Sequence, residues 1–142
     1  MKRIFSIFIV LGLIFASYGL SSAPKDVGNV SMDEIFKKKI VGKWAEGESP
    51  YGMSSFEEGG NYRAWIYENS KKEKLLYSME GKWWIEKGKL YNSVSEITPP
   101  ITGLKAGDIV VDKIVAISDT VMTLIDEEGQ QYSSTKIREM SK

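Results

Sequence analysis

Residues 81–97 decide the fold, and they read Gly-Lys-Trp-Trp-Ile-Glu-Lys-Gly-Lys-Leu-Tyr-Asn-Ser-Val-Ser-Glu-Ile. Apolar and polar residues alternate on both sides of the Lys87-Gly88 turn, which is the pattern of two antiparallel strands joined as a hairpin. Because successive side chains of a strand point to opposite faces, Trp83 lies on one face and Trp84 on the other. The charge of Lys82, on the same face as Trp84, marks that face as solvent and the Trp83 face as interior.

The register of this hairpin sets two pairs of side chains opposite each other. If the residues flanking the turn pair, Trp84 lies opposite Tyr91 on the outer face and Trp83 lies opposite Asn92 on the inner face. Outside, the aromatic pair either marks an interaction surface or simply stabilises the sheet. Inside, the Asn92 amide needs a hydrogen-bond partner, which a tyrosine, a structural water or a ligand could supply.

The same alternation continues outward from the hairpin in both directions. Clusters of Gly, Asn, Asp and Lys interrupt it every eight to twelve residues or so, which is typical of an all-β sandwich or barrel. We expect strands at about 40–47, 52–57, 61–68, 74–86, 89–97, 108–117, 120–126 and 130–138. Because the turns are short, neighbours in sequence should pair. The prediction is an all-β, small antiparallel up-and-down barrel of about eight strands, whose closure leaves no open edge.

Two segments depart from the strand pattern. Ser31 followed by Glu34 has the spacing of a capping box and predicts one short N-terminal helix that ends near Lys39. The connection 98–107 is long and contains two prolines, with Ile101 and Leu104 at its centre. It is either a lid loop over one end of the barrel or a passive spacer.

Residues 1–23 have the pattern of a secretory signal peptide. Two basic residues precede an apolar stretch that ends in Ser21-Ser22-Ala23, and small side chains there suit a signal peptidase. The alternative is a permanent membrane anchor, but the apolar run is shorter than the roughly 20 residues that a span needs. We therefore expect a signal peptide (1–23), a tether (24–30) and one barrel domain (31–142). The mature protein would be periplasmic or secreted, with no permanent membrane anchor after cleavage.

Composition excludes several classes of function. The 142 residues contain neither histidine nor cysteine, which removes the commonest general base, thiol chemistry and the usual transition-metal ligands. Basic and acidic residues are equal at 19 each, and loss of Lys2 and Arg3 with the signal peptide would leave 17 basic against 19 acidic residues, so no basic surface for nucleic acid is expected. Asp126, Glu127 and Glu128 are adjacent, but a tight turn would leave them solvated. We expect no enzymatic activity, no metal and no cofactor.

Several short motifs, taken together, resemble a known family. Gly42-Lys43-Trp44 directly follows the predicted helix, Ser54-Ser55-Phe56 comes next, then Gly81-Lys82-Trp83-Trp84-Ile85, and Arg138 closes the last strand. Their order and spacing resemble the short bacterial lipocalin-like domains of the calycin superfamily. The resemblance implies that Trp44 plugs the closed end of the barrel and that Arg138 crosses over its indole as a structural pair.

The resemblance leads to a first hypothesis about function. The protein would be an exported binding protein that holds a small lipophilic ligand in the barrel interior, with access beneath the lid loop at Ile101 and Leu104. The residues expected to line that interior are Phe56, Tyr62, Ile66, Trp83, Asn92 and Val94.

A second hypothesis rests on the outer face. There the protein would be a protein–protein interaction module, such as an inhibitor, an immunity protein or an envelope assembly factor. Its partner, an envelope or secreted protein, would contact Trp84 and Tyr91, with the surface extended by Trp65.

Overall fold

The computed structural model describes residues 31–139. The expected signal peptide (1–23) and tether (24–30) lie outside these residues. Helix α1 spans Met32–Ile40, and the Ser31 hydroxyl accepts a hydrogen bond from the backbone N–H of Glu34 at 3.3 Å, as the capping box predicts. No helix among residues 31–139 is long and apolar enough to cross a membrane.

Eight antiparallel strands follow the helix and close into a barrel. They are β1 (Gly42–Glu46), β2 (Tyr51–Phe56), β3 (Asn61–Tyr67), β4 (Leu75–Glu86), β5 (Lys89–Thr98), β6 (Ile109–Ile117), β7 (Val121–Ile125) and β8 (Gln131–Lys136). Each strand pairs with its neighbour in sequence, and β8 pairs with β1 to complete the ring. The up-and-down barrel expected from the sequence is confirmed.

The register of the β4–β5 hairpin is the one that alternation predicts. Trp83 pairs with Asn92 and Trp84 with Tyr91. A β-bulge interrupts the ladder next to Gly81, where a side chain cannot be accommodated, since an added Cβ would lie 1.6 Å from the carbonyl oxygen of Ser93. Gly81 therefore permits the close backbone approach on which this bulge depends.

The barrel has two different ends. Helix α1 and the β4–β5 turn lie together at one of them, which we call the closed end. There the Asp33 carboxylate accepts hydrogen bonds from the backbone N–H groups of Lys87 at 2.7 Å and Gly88 at 2.9 Å. The opposite, open end carries the β1–β2 and β7–β8 connections and the long loop after β5.

Trp44 plugs the closed end. Its side chain is completely buried, and its indole N–H donates to the carbonyl oxygen of Ile40, the last residue of α1, at 2.7 Å. The Lys136 ammonium lies 5.1 Å from the centroid of the indole ring and donates to the carbonyl oxygen of Lys39 at 3.0 Å. The cation that covers Trp44 is therefore a lysine.

The expectation that Arg138 covers Trp44 is wrong. Strand β8 ends at Lys136, so Arg138 leaves the sheet and is exposed. Gly42 makes room for the lysine, because an added Cβ there would lie 2.8 Å from Lys136 Cε.

Candidate binding site in the barrel interior

The barrel encloses a cavity of about 370 Å³. Trp44 lies at its floor, and the residues at its other extreme belong to the β1–β2 and β7–β8 connections, among them Gly47 and Gln130. The cavity therefore opens at the open end and stops at Trp44. Its volume is within the range of about 300–1,000 Å³ that small-molecule sites occupy.

Much of the cavity wall is apolar and aromatic. Phe56 and Tyr62 pack with their ring centroids 5.2 Å apart, and Ile66 continues the wall along β3. Leu90, Met122 and Leu124 lie on the other strands that line it. These surfaces suit the carbon skeleton of a ligand.

The structure brings four of the six predicted interior residues to the cavity wall and leaves two behind it. Phe56, Tyr62, Ile66 and Asn92 line the cavity. Trp83 and Val94 are buried but do not line it. The Trp83 ring meets Phe56 edge-on at 5.8 Å, and its indole N–H donates to the carbonyl oxygen of Glu57 at 2.9 Å, so it packs behind Phe56.

Polar and acidic residues also line the cavity. Glu46, at the end of β1, is partly buried and accepts a hydrogen bond from the Ser134 hydroxyl at 3.2 Å. Asp112, in the middle of β6, is 3% exposed and is hydrogen-bonded to the Tyr132 hydroxyl. Two carboxyl groups thus share one poorly hydrated space, which is costly unless positive charge or hydrogen bonds compensate.

Burial of these groups changes how the site titrates. Removal from water, together with the charge of Asp112, raises the pKa of Glu46 to about 7, and the Ser134 hydrogen bond only partly offsets this. Burial also raises the pKa of Tyr77 to about 12 and moves the pKa values of Tyr62 and Tyr132 well above the ordinary tyrosine value. These tyrosines therefore remain neutral near pH 7, whereas Glu46 can gain or lose its proton there.

Asn92 contributes an acceptor that the protein leaves unused. Its side chain is 6% exposed and lines the cavity, and its Oδ1 atom has no hydrogen-bond partner among residues 31–139. It pairs with Val110 on β6, so the inward-facing Asp112 is its diagonal neighbour. A buried carbonyl oxygen without a donor is unusual and calls for a specific explanation.

The long loop 98–107 does not form the expected lid over the cavity. Ile101 and Leu104 pair with each other in an isolated bridge and pack against the core. No residue of this loop is among those that line the cavity in the described part of the chain. Access to the cavity is therefore beside the β1–β2 and β7–β8 connections, not beneath this loop.

On the outer face, Trp84 and Tyr91 form the predicted aromatic pair, but Trp65 does not extend it. Trp84 and Tyr91 stack with their centroids 5.2 Å apart and an interplanar angle of 6°. Trp65 pairs with Ser78, six positions from Trp84 along β4, which is about 20 Å in an extended strand. Trp65 therefore does not join Trp84 and Tyr91 in one surface.

Sequence reasoning missed the acidic side of the site, namely Glu46, Asp112 and Ser134. The same alternation could have found them. Glu46 is two residues from the buried Trp44, and Asp112 shares a strand face with Val110, so each points into the barrel. Charged residues in strands are usually assigned to the solvent face, and Glu46 and Asp112 are overlooked for that reason.

Comparison with known proteins identifies the fold. No protein-family model matches the sequence, and no curated protein matches it. The crystal structure of a lipocalin-like protein from Bacteroides uniformis ATCC 8492 is similar with a TM-score of 0.51 and 14% identity, over 70% of this chain and 99% of that chain. The NMR structure of a protein from Bacteroides thetaiotaomicron VPI-5482 has a TM-score of 0.48 and 24% identity, over 72% of this chain and 92% of that chain. The closed eight-stranded barrel described here therefore has a lipocalin-like fold.

Proposed function

We propose that this protein binds a small molecule inside its barrel. The observation that carries the proposal is the cavity of about 370 Å³, which ends on Trp44 and opens at the opposite end. A barrel of eight strands is narrow enough for side chains to fill it. Here they do not fill it, and the space has both an apolar wall and polar groups, as small-molecule sites usually have.

We propose binding without catalysis. The sequence has no histidine and no cysteine, and the cavity wall offers hydrogen-bond acceptors and apolar surface. The alternative of a protein–protein interaction module is not favoured. Trp84 and Tyr91 already stack on each other, and Trp65 lies apart from them.

We further propose that the protein is exported to the periplasm or beyond it. Support comes from the sequence of residues 1–23, with its basic start, apolar middle and Ser-Ser-Ala end. Expression of the full chain in a bacterial host, followed by fractionation and N-terminal sequencing, should yield a protein that begins at Pro24. Retention of Met1 on a cytoplasmic product would contradict this part of the proposal.

A dye titration tests binding in the barrel. N-phenylnaphthylamine, an apolar dye that is uncharged near neutral pH, should gain fluorescence with the protein and quench tryptophan emission, since Trp44 lines the cavity. Ala64 is 2% exposed and also lines the cavity, so Ala64→Leu should occupy part of the space and weaken dye binding.

The matched control is Ala116→Leu, which adds the same side chain at an exposed position. It should leave dye binding unchanged. If Ala64→Leu folds with an intact thermal transition and binds the dye as the unmodified protein does, the dye is not in the barrel and the proposal is wrong.

A further inference from the structure

We infer that the ligand of this cavity is an organic cation, a protonated amine carried on a flat apolar body, with its ammonium group beside Glu46, Asp112 and Asn92. This inference rests on the proposed binding function and adds the chemical class of the ligand. It follows from three features of the cavity wall: its charge, its unused acceptor and its aromatic surface.

The charged residues of the cavity wall are all acidic in the described part of the chain. Three acidic residues line the cavity, Glu46, Asp112 and Asp126, and no lysine or arginine of the described chain lines it with them. Asp126 serves its own turn, where its carboxylate accepts from the backbone N–H groups of Glu128 and Gln130 at 2.9 and 2.8 Å. Glu46 and Asp112 are thus the charges that face the interior, and a positive ligand would compensate them.

Glu46, Asp112 and Asn92 add hydrogen-bond acceptors to a wall that also carries hydroxyl and amide groups, such as those of Ser54 and Gln131. Asn92 Oδ1 is buried with no donor in residues 31–139, and a carboxylate offers only acceptors when ionised. The Ser134 hydroxyl supplies one hydrogen bond to Glu46, which leaves that carboxylate with further lone pairs, and the Tyr132 hydroxyl is hydrogen-bonded to Asp112. A primary ammonium carries three N–H donors and no acceptor, which complements three acceptor residues.

The rest of the wall accounts for the apolar body. The rings of Phe56, Tyr62 and Trp44 border the same cavity. Aromatic faces attract cations as well as apolar groups, so they favour a cation whose charge is attached to carbon. A fatty acid would bring a third carboxylate beside Glu46 and Asp112, and a purely lipophilic molecule would leave Asn92 Oδ1 without a donor.

A metal ion is the competing explanation for an acidic cavity. Within residues 31–139 no group of three or more acidic side chains is placed to hold a metal ion. Two carboxylates on a largely apolar wall fit an organic ammonium better than a hard cation, which prefers six or more oxygen ligands.

Three probes with one carbon skeleton test the inference by calorimetry on the unmodified protein at pH 8. We expect phenylbutylamine to bind at least about tenfold more tightly than phenylbutanol, and phenylbutyrate to bind most weakly. Equal affinity of amine and alcohol would overturn the inference and leave the proposed binding function intact. If the neutral dye binds and none of the three probes does, the inference fails and the proposed function stands; if the dye does not bind either, the proposed function itself fails.

Variants then locate the ammonium group. The double variant Glu46→Gln, Asp112→Asn should lose the preference for amine over alcohol, and Asn92→Leu should weaken amine binding more than alcohol binding. Glu80→Gln removes an exposed carboxylate on the outside and is the matched control, which should keep the preference. Retention of the preference in a folded double variant, or displacement of the amine by Ca²⁺ or Zn²⁺, would overturn the inference.

Discussion

The Lys136 ammonium lies 5.1 Å from the centroid of the Trp44 indole, and it is joined to the end of α1 by a hydrogen bond of 3.0 Å to the Lys39 carbonyl oxygen. One side chain thus links the last strand, the plug and the helix. The contact is partly buried, so it should count for more than a surface ion pair.

Lys136→Met keeps the length of the side chain and removes its charge and its hydrogen bond. We expect the free energy of unfolding to fall by about 1–2 kcal/mol in urea titration. Arg138→Met, two residues further on and exposed, should change it by less than about 0.5 kcal/mol. The reverse order would show that Arg138 is the stabilising cation after all.

Gly81→Ala should be among the most damaging single-methyl changes in the chain. The added Cβ would lie 1.6 Å from the carbonyl oxygen of Ser93, so the β4–β5 bulge must move. We expect a loss of about 3 kcal/mol or more, measured by thermal unfolding, or failure to fold. Gly59→Ala, whose added Cβ meets nothing within 4 Å, is the control and should be nearly neutral. Normal stability of the Gly81 variant would contradict the bulge geometry.

The raised pKa of Glu46 predicts how ligand-free stability depends on pH. The folded state holds the Glu46 proton up to a pKa of about 7, whereas the pKa of an unburied glutamate in the unfolded chain has its ordinary value of 4.5. Between these values the folded state binds more protons, so this carboxyl lowers the free energy of unfolding as the pH rises from about 4.5 to 7.

Glu46→Gln should remove that part of the pH dependence. The variant should match the unmodified protein at pH 4 and exceed its free energy of unfolding by about 1–3 kcal/mol at pH 8, in urea titrations at both values. Glu80→Gln, at an exposed position, should show no such divergence. Parallel curves for Glu46→Gln and the unmodified protein would mean that the carboxyl titrates normally.

The same pKa predicts the pH dependence of amine binding. The groups that face Glu46 are Asp112, the Ser134 hydroxyl, and the hydroxyls of Tyr62, Tyr77 and Tyr132, and the tyrosines do not ionise near neutrality. As the pH falls from 8 to 6, Glu46 becomes neutral while an alkylamine stays protonated, since its pKa is about 10.

Phenylbutylamine affinity should therefore fall over that interval by about tenfold, and phenylbutanol affinity should stay constant. Calorimetry at both pH values in the same buffer measures both ligands. At pH 7, amine binding should also release protons, which shows as a dependence of the observed heat on the buffer. Identical amine affinity at pH 6 and pH 8 would exclude Glu46 as a contact.

Asn92→Leu should separate stability from binding. It replaces a side chain whose buried carbonyl oxygen has no hydrogen-bond partner with an apolar side chain of similar size, so the free energy of unfolding should rise by about 1 kcal/mol. Loss of stability by a similar amount, in a denaturant titration of the ligand-free protein, would mean that the amide is satisfied in solution.

Alternation along residues 81–97 was enough to predict a hairpin, its register and its two faces, because a period of two leaves no other arrangement with Trp83 buried. It could not predict which inward side chains border empty space. Trp83 and Phe56 both point inward, yet Phe56 lines the cavity and Trp83 packs behind it. That difference depends on what faces each residue across the barrel, which no local pattern records.

The wrong prediction that Arg138, and not Lys136, covers Trp44 has a similar origin. The register between β8 and β1 pairs Trp44 with Lys136 and Ala45 with Thr135, and one further hydrogen bond runs from the Ile137 N–H to the Lys43 carbonyl oxygen before the chain leaves the sheet ahead of Arg138. The length of a strand at the point of closure is set by its distant partner. The sequence alone predicted the position of the cation over Trp44 to within two residues, but not which residue supplies it.

Trp44 gives the barrel a blind end, which for the proposed binding function would determine the order of events during ligand exchange. A molecule that enters must leave by the same mouth, past Glu46, and a second molecule cannot push it through from behind. One ligand can therefore replace another only after the first has left the cavity. The residence time of a bound molecule would then depend on its contacts at the cavity opening. Such a protein would be better suited to retaining a ligand than to passing it on.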